Sequence, residues 1–388
     1  MSIPRNLRAG FIATISGIEI TNILLYAIFG YYYGLMSIFY IAVMFLASIF
    51  IQQVLALSQY ITKAKTIDLL RNKSKKLYYL YTIPLYSASN ILLLANLLFI
   101  SILYEKLLGG SWIAYSLIIL IISFSIISNR TNKSRAEKIL VYSSLLLLIY
   151  LLAFIIDIIE YGVSQIHMPL SNKGIEEQYS SFVLLSALWG AMASPYSMII
   201  QEDSSNINEL WYGFLFGTLI GFSISLHFYI NNIPVNSIGS LLNLPYSAIT
   251  SKLIIIGLTS TVILALMNIF VSNSALLSWD KSVLKPRYFV SITLLLLVIT
   301  SIVLISSPII LGVYNVETLL IKLIVYSSSI VGLLVSISLF PLIFLYINIY
   351  REEQILRTSI LLNTSVLVIV FVLTFSIGII SVISSFFY

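Results

Sequence analysis

Long apolar runs, each closed by a charged or turn-forming cluster, follow one another along the chain at roughly 10–32, 37–58, 79–103, 112–129, 138–160, 181–201, 211–231, 251–273, 287–306, 318–348 and 358–386. Runs of this length predict helices that cross a bilayer, since ~20 residues rising 1.5 Å each span the ~30 Å hydrocarbon layer. Transmembrane strands would be about half as long and would alternate in polarity. The pattern therefore predicts an all-α polytopic membrane protein with eleven spans. The connections are short, so one membrane domain covers 1–388 and no soluble domain is expected. The first run is too long for a signal core and lacks a small-residue cleavage pattern, so it reads as a span.

Composition agrees with the pattern. A chain of 388 residues with 59% hydrophobic and 9% charged side chains has too little polar surface for a soluble globule. It contains no cysteine, which excludes disulfides and thiolate metal sites and leaves the redox compartment open.

The net charge of +6 is a matter of topology and calls for no nucleic-acid partner. Of the 21 basic residues, only Lys106, Lys173, Lys252 and Lys322 fall on one side of an eleven-span trace. The others, including Lys63 to Lys76, Arg130 to Lys138 and Lys281 to Arg287, fall on the opposite side. Basic residues concentrate in the cytoplasm. The expected placement is a plasma-membrane protein with a cytoplasmic N-terminus and an external C-terminus, its surroundings the lipid bilayer and no obligate protein partner evident. The loop Gln201–Glu209 is acidic on the basic side, but acidic residues count little in this rule.

One carboxylate lies deep in a span: Glu19, within Ser16-Gly17-Ile18-Glu19-Ile20-Thr21-Asn22. A charge at that depth costs at least ~2.5 kcal/mol, which points to an ion, a proton or a cationic substrate. The first span thus carries polar, weakly helix-forming residues at its middle. The sixth reads Trp189-Gly190-Ala191-Met192-Ala193-Ser194-Pro195-Tyr196, with Gly and Pro five residues apart. Pro195 has no N–H to offer Ala191, so that carbonyl is freed to act as a ligand. Spans one and six lie about 170 residues apart, the spacing of the first members of two five-helix halves. Paired discontinuous helices at the midplane mark the site in transporters built from inverted repeats. The expected division is repeat one at about 10–160, repeat two at about 181–348 and an extra helix at about 358–386.

At these residues the chain resembles the Nramp family of divalent-metal transporters, which have the LeuT-type fold. The family's first-helix motif, Phe-Ile-Ala, then Asp-Pro-Gly-Asn, then Phe-Gly-Tyr, is similar to Phe11-Ile12-Ala13, Glu19-Ile20-Thr21-Asn22 and Phe29-Gly30-Tyr31. Its sixth-helix Gly-Ala-x-x-Met-Pro-His is matched at Gly190, Ala191 and Pro195, and its tenth-helix Leu-Ile-Pro-Leu resembles Leu339-Phe340-Pro341-Leu342. The resemblance implies helices one and six broken at the midplane, and metal ligands at the Glu19 carboxylate, the Asn22 side-chain carbonyl, the Ala191 backbone carbonyl and Ser194. It places Thr21, Gly190, Pro195 and Tyr196 along the substrate pathway.

The departures are informative. Ser194 replaces the family's thioether, and a hydroxyl suits hard ions such as Mg²⁺ or Mn²⁺ better than soft metals. Tyr196 replaces the motif histidine, and Leu334 the helix-ten glutamine. Pro84 and Ser87 stand where the family's third helix has carboxylates, which implies weak or absent proton coupling. A branch resembling magnesium transporters shares these losses. The expected function is alternating-access transport of a divalent cation, with the metal as substrate and no cofactor. The rivals are an organic-cation or amino-acid carrier on the same fold, with Tyr26 and Trp189 lining its cavity, and a non-transporting membrane subunit.

Other constellations carry less. His167 and His227 read as interfacial residues, and Asp157 and Glu160 as solvated acids at the outer end of span five. Ser87, Ser89, Asn90 and Asn96 of span three either hydrate a pathway or bond helix to helix. Neither a nucleotide-binding glycine loop nor a nucleophile elbow is present, so no enzyme activity is expected.

Overall fold

The computed structural model describes residues 19–62, 64–128, 133–161, 179–193, 195, 198, 207–242, 248–277, 316–352 and 357–385. Among the described residues every regular element is helical: α1 (Ile20–Tyr33), α2 (Met36–Thr62), α3 (Thr66–Lys73), α4 (Lys75–Leu108), α5 (Trp112–Ser128), α6 (Lys133–Ser144), α7 (Ile149–Tyr161), α8 (Ser181–Ala193), α9 (Ile207–Ile230), α10 (Ala248–Leu277), α11 (Val316–Glu352) and α12 (Arg357–Ser385). A 3₁₀ turn, Leu145–Leu148, joins α6 to α7, so span five is a single tightened rod.

Eight of the eleven expected spans coincide with these helices, the first and sixth are described only in part, as Ile20–Tyr33 and Ser181–Ala193, and the ninth, at 287–306, lies outside the described residues. Among the described residues, six segments are long and apolar enough to cross a membrane: Met36–Gln59, Lys75–Leu108, Ala136–Glu160, Ile249–Asn273, Leu319–Asn348 and Asn363–Ser385. The chain is a multi-pass membrane protein.

The helices are apolar around their whole circumference, and neighbours decide which faces are buried. Helix α1 is the innermost: every residue from Ile20 to Gly30 is buried. It packs against α9, α8, α4 and α2, and α11 joins α8, α4 and α12. Helix α12 lies at the edge, with Ile369, Val372 and Leu373 more than half exposed, as suits side chains that face lipid.

Small residues set the closest approaches. A Cβ at Gly30 would overlap the Ser225 carbonyl on α9, and one at Gly190 would overlap the Ser328 carbonyl on α11. Gly332 faces the Ser186 carbonyl in the same way. The α8–α11 seam is stitched by Ser186 Oγ donating to the Ser329 carbonyl (2.9 Å) and by Trp189 Nε1 donating to Ser336 Oγ (3.1 Å).

Two assignments change. His227 and Asp157 do not sit at the water interface; both are buried and paired, His227 Nδ1 lying 2.5 Å from Asp157 Oδ2. Each relieves the other's burial cost, which neither could bear alone. Glu160 is exposed, as expected. The segment after span two is not simply a basic loop: α3 turns Ile67 and Leu70 inward and leaves Asp68 and Lys73 exposed, a short amphipathic helix.

Candidate metal-binding site

Helix α1 begins in the middle of the first apolar run. Glu19 precedes it in an extended conformation (φ −77°, ψ 164°), and its carbonyl accepts the first helical bonds, from Asn22 N (3.0 Å) and Ile23 N (3.2 Å). It is the N-cap residue, so its carboxylate sits where the helix dipole presents partial positive charge. That placement offsets part of the cost of an acid with no solvent exposure at all.

The second offset comes from α4. Asn96 Nδ2 donates a hydrogen bond to Glu19 Oε2, and Asn96 is itself fully buried. Between hydration and helix-to-helix bonding, this polar residue of span three therefore does the latter, and its partner is the Glu19 carboxylate. Nothing in the spacing of two residues 77 positions apart signals that contact. Further along α4, Asn90 accepts from Asn273 Nδ2 of α10 at 3.4 Å, so the polar residues of span three form links to two other helices.

Thr21 and Asn22 occupy the first turn of α1, and both are fully buried. The Thr21 hydroxyl has no hydrogen-bond partner among the described residues. The start of α1 thus gathers a carboxylate, an amide and a hydroxyl within four consecutive positions, with a second amide reaching in from α4. Oxygen-rich sets of this kind suit hard cations.

Helix α8 runs beside α1 and ends at Ala193, two residues before Pro195, which lies buried in a turn. The last carbonyls of a helix have no intrahelical donors. At Met192 the need is met from outside, because Ser48 Oγ on α2 donates to its carbonyl at 2.9 Å. At Ala191 the helical donor would be residue 195, and proline has none. Ala191 is fully buried, and its carbonyl lacks the helical donor that a residue other than proline at 195 would supply.

Gly190 packs against α11 at the α8–α11 seam, which makes it a spacing residue for the end of α8. Trp189 is also committed there through Ser336. Ser194 and Tyr196 lie outside the described residues, as do Ser16, Gly17, the Phe11–Ala13 motif, His167 and most of the acidic loop. The structure therefore brings Glu19, Thr21 and Asn22 together at the head of α1 and sets the Ala191 end of α8 on a neighbouring helix. No group of three or more His, Asp or Glu side chains suited to a metal occurs among the described residues. A cation bound here would meet one carboxylate and neutral oxygens.

No family model matches the chain, and no curated protein matches it. Solved structures do. The chain is similar to a manganese transporter from Eremococcus coleocola in complex with an aromatic bis-isothiourea substituted compound, with 14% identity, a TM-score of 0.62, and coverage of 96% of this chain and 86% of that one. Two structures of point mutants of the same transporter match over the same shares at 14% identity, each with a TM-score of 0.63. At this identity the likeness establishes the fold: nearly the whole chain is arranged as that transporter is.

Proposed function

We propose that the chain transports divalent metal cations across a membrane by alternating access. The observation that carries this is Glu19: one fully buried carboxylate at the N-terminus of a helix that starts mid-span, in a fold shared with a manganese transporter. Glu19 supplies charge, Asn22 and Ala191 supply neutral oxygens, and Ser194 supplies a hydroxyl or a water contact. Thr21, Pro195 and Tyr196 border the pathway, and Gly190 sets the position of the α8 end. The motif resemblance to the Nramp family and the fold support the same reading independently.

The donor set is all oxygen, which favours Mg²⁺ or Mn²⁺ over soft metals; Mg²⁺ in particular keeps several waters and needs only one or two carboxylates. The carboxylate positions of the family's third helix are held here by Pro84 and Ser87, so cation uptake proceeds with little or no proton movement along that route. The two five-helix halves and the appended α12 form the inverted repeat that such a mechanism uses. The distribution of basic residues supports a cytoplasmic N-terminus, and a plasma-membrane location belongs to the same proposal. The amine-carrier reading loses one of its two aromatic anchors, since Trp189 is bonded into the α8–α11 seam.

The test is a flux panel in proteoliposomes with Mg²⁺, Mn²⁺, Ca²⁺, Cd²⁺ and several amines, with internal pH recorded. Wild-type protein should move hard divalent cations without acidifying the lumen. Glu19→Gln should lower uptake of every cation together, and Ser194→Met should raise Cd²⁺ relative to Mg²⁺. Amine flux without metal flux, or full metal uptake by Glu19→Gln, would overturn the assignment.

A further inference from the structure

The proposed cation site does not use the second ionisable cluster buried in the chain. Asp157 lies one turn before the end of α7, and His227 lies in the last turn of α9. Asp157 is 1% exposed and His227 has no exposure. His227 Nδ1 meets Asp157 Oδ2 at 2.5 Å, and Asn231 Nδ2 lies 3.2 Å from the same ring nitrogen while donating to the His227 carbonyl at 3.0 Å.

The end of α9 is firmly built around this ring. Asn232 adopts the left-handed conformation (φ 50°), and Ile233 N returns to the Phe228 carbonyl at 3.1 Å, closing the helix with a Schellman-type cap. His227 therefore stands among the terminal carbonyls, with a carboxylate on its other side. Both features put negative potential on the imidazole.

We propose that His227 and Asp157 form a proton-binding site, separate from the cation site, that exchanges its proton with the outer face of the membrane. The balance is simple: a proton from external water adds to the ring nitrogen that lacks one. This converts a neutral imidazole beside a carboxylate into an imidazolium–carboxylate ion pair, and the same proton returns by the same route. Both residues lie near the C-terminal ends of their helices, which are spans five and seven of the trace, and the charge rule puts those ends outside. No net proton crosses the membrane, so the site is compatible with uptake that leaves internal pH unchanged.

Geometry links the site to the cation-bearing helix. Ser225, two residues from His227, presents the carbonyl against which Gly30 of α1 is packed, and its hydroxyl bonds Ser37 of α2. Protonation changes the attraction between α7 and α9, and α9 is the helix that α1 rests on. On the helices packed against α9, the charged and titratable side chains among the described residues are Asp157, Glu160 and Tyr150 on α7, the tyrosines of α1 with Glu19 at its N-cap, and Tyr40 on α2. Of these, Asp157 meets the ring directly, and the Tyr150 hydroxyl is committed to the Leu241 carbonyl (2.8 Å).

The chain has two histidines, which makes the test direct. In purified full-length protein carrying His167→Gln and ring-labelled histidine, nitrogen NMR reads the protonation of His227 alone. The ring should change its protonation as the pH of the medium is varied, and Asp157→Asn should alter that response. This arm needs no transport and stands apart from the functional reading. The second arm rests on that reading: cation uptake should vary about threefold or more with external pH, while His227→Gln and Asp157→Asn each flatten the profile to under about twofold. A ring that holds one protonation state throughout, making the pair a fixed strut, would overturn the proposal. So would a pH profile of unchanged shape in both variants. Loss of uptake at every pH in wild type would instead count against the transport assignment and leave the NMR result to decide the proton site.

Discussion

Helices α8 and α11 both contain a proline in or just beyond an apolar run, yet they treat it differently. Helix α8 stops at Ala193 and puts Pro195 in a turn, whereas α11 continues through Pro341, as α4 does through Pro84. A proline always removes one backbone donor. Its flanks decide whether the helix survives the loss. Around Pro341 stand Leu339, Phe340, Leu342 and Ile343, large side chains whose packing holds the helix together across the missing bond; Leu339 and Leu342 are fully buried. Before Pro195 the described residues from 190 are Gly190, Ala191, Met192 and Ala193, three of them too small to brace a weakened turn, and Ser48 is at hand to satisfy the carbonyl of Met192. The break is specified by small residues and an outside donor as much as by the proline, and it falls on a helix that packs against α1.

The contrast can be broken most forcefully at its anchor. Gly190→Ala drives a methyl into the Ser328 carbonyl, with no flexible side chain to give way. The expected loss is about 3 kcal/mol or more, read as a lowered thermal midpoint in detergent. Next in size is the comparison of the two prolines: Pro195→Ala should restore a donor to Ala191 and reduce cation uptake about tenfold, while Pro341→Ala should leave uptake within about twofold. Equal effects of the two variants would show that the α8 interruption has no special role. The smallest effect belongs to Ser48→Ala, which leaves the Met192 carbonyl unsatisfied at a cost of about 1 kcal/mol in stability, with the ion ranking in the flux panel unchanged.

Helix positions were legible in the sequence because span length is dictated by bilayer thickness and the span ends carry charge. The interruptions were legible too: polar residues around Glu19 and the Gly–Pro pair at 190 and 195 are local signals. Partnership was not legible. In these spans nearly all faces are apolar, so periodicity does not separate a face against lipid from a face against protein. That is why the Asn96 bond to Glu19 and the burial of His227 against Asp157 required the structure. Each is a polar residue near the middle or end of a span, equally compatible with water, a loop or a second helix until the neighbour is known. The short helix α3 was hidden differently, since its inward pair Ile67 and Leu70 is brief and the flanking lysines dominate the segment.

The glycine contacts also bear on how the molecule can move. Helices α1 and α8 each come closest to a neighbour at a glycine that meets a backbone carbonyl, α1 on α9 at Gly30 and α8 on α11 at Gly190. Interdigitated leucines would act as gear teeth: to shift, side chains must leave one set of gaps and enter the next. A seam of glycine against carbonyl has no teeth. At those points two rods can glide or tilt without a rotamer having to change, and the resistance to motion comes from the side-chain bonds elsewhere along the seam, such as Trp189 to Ser336.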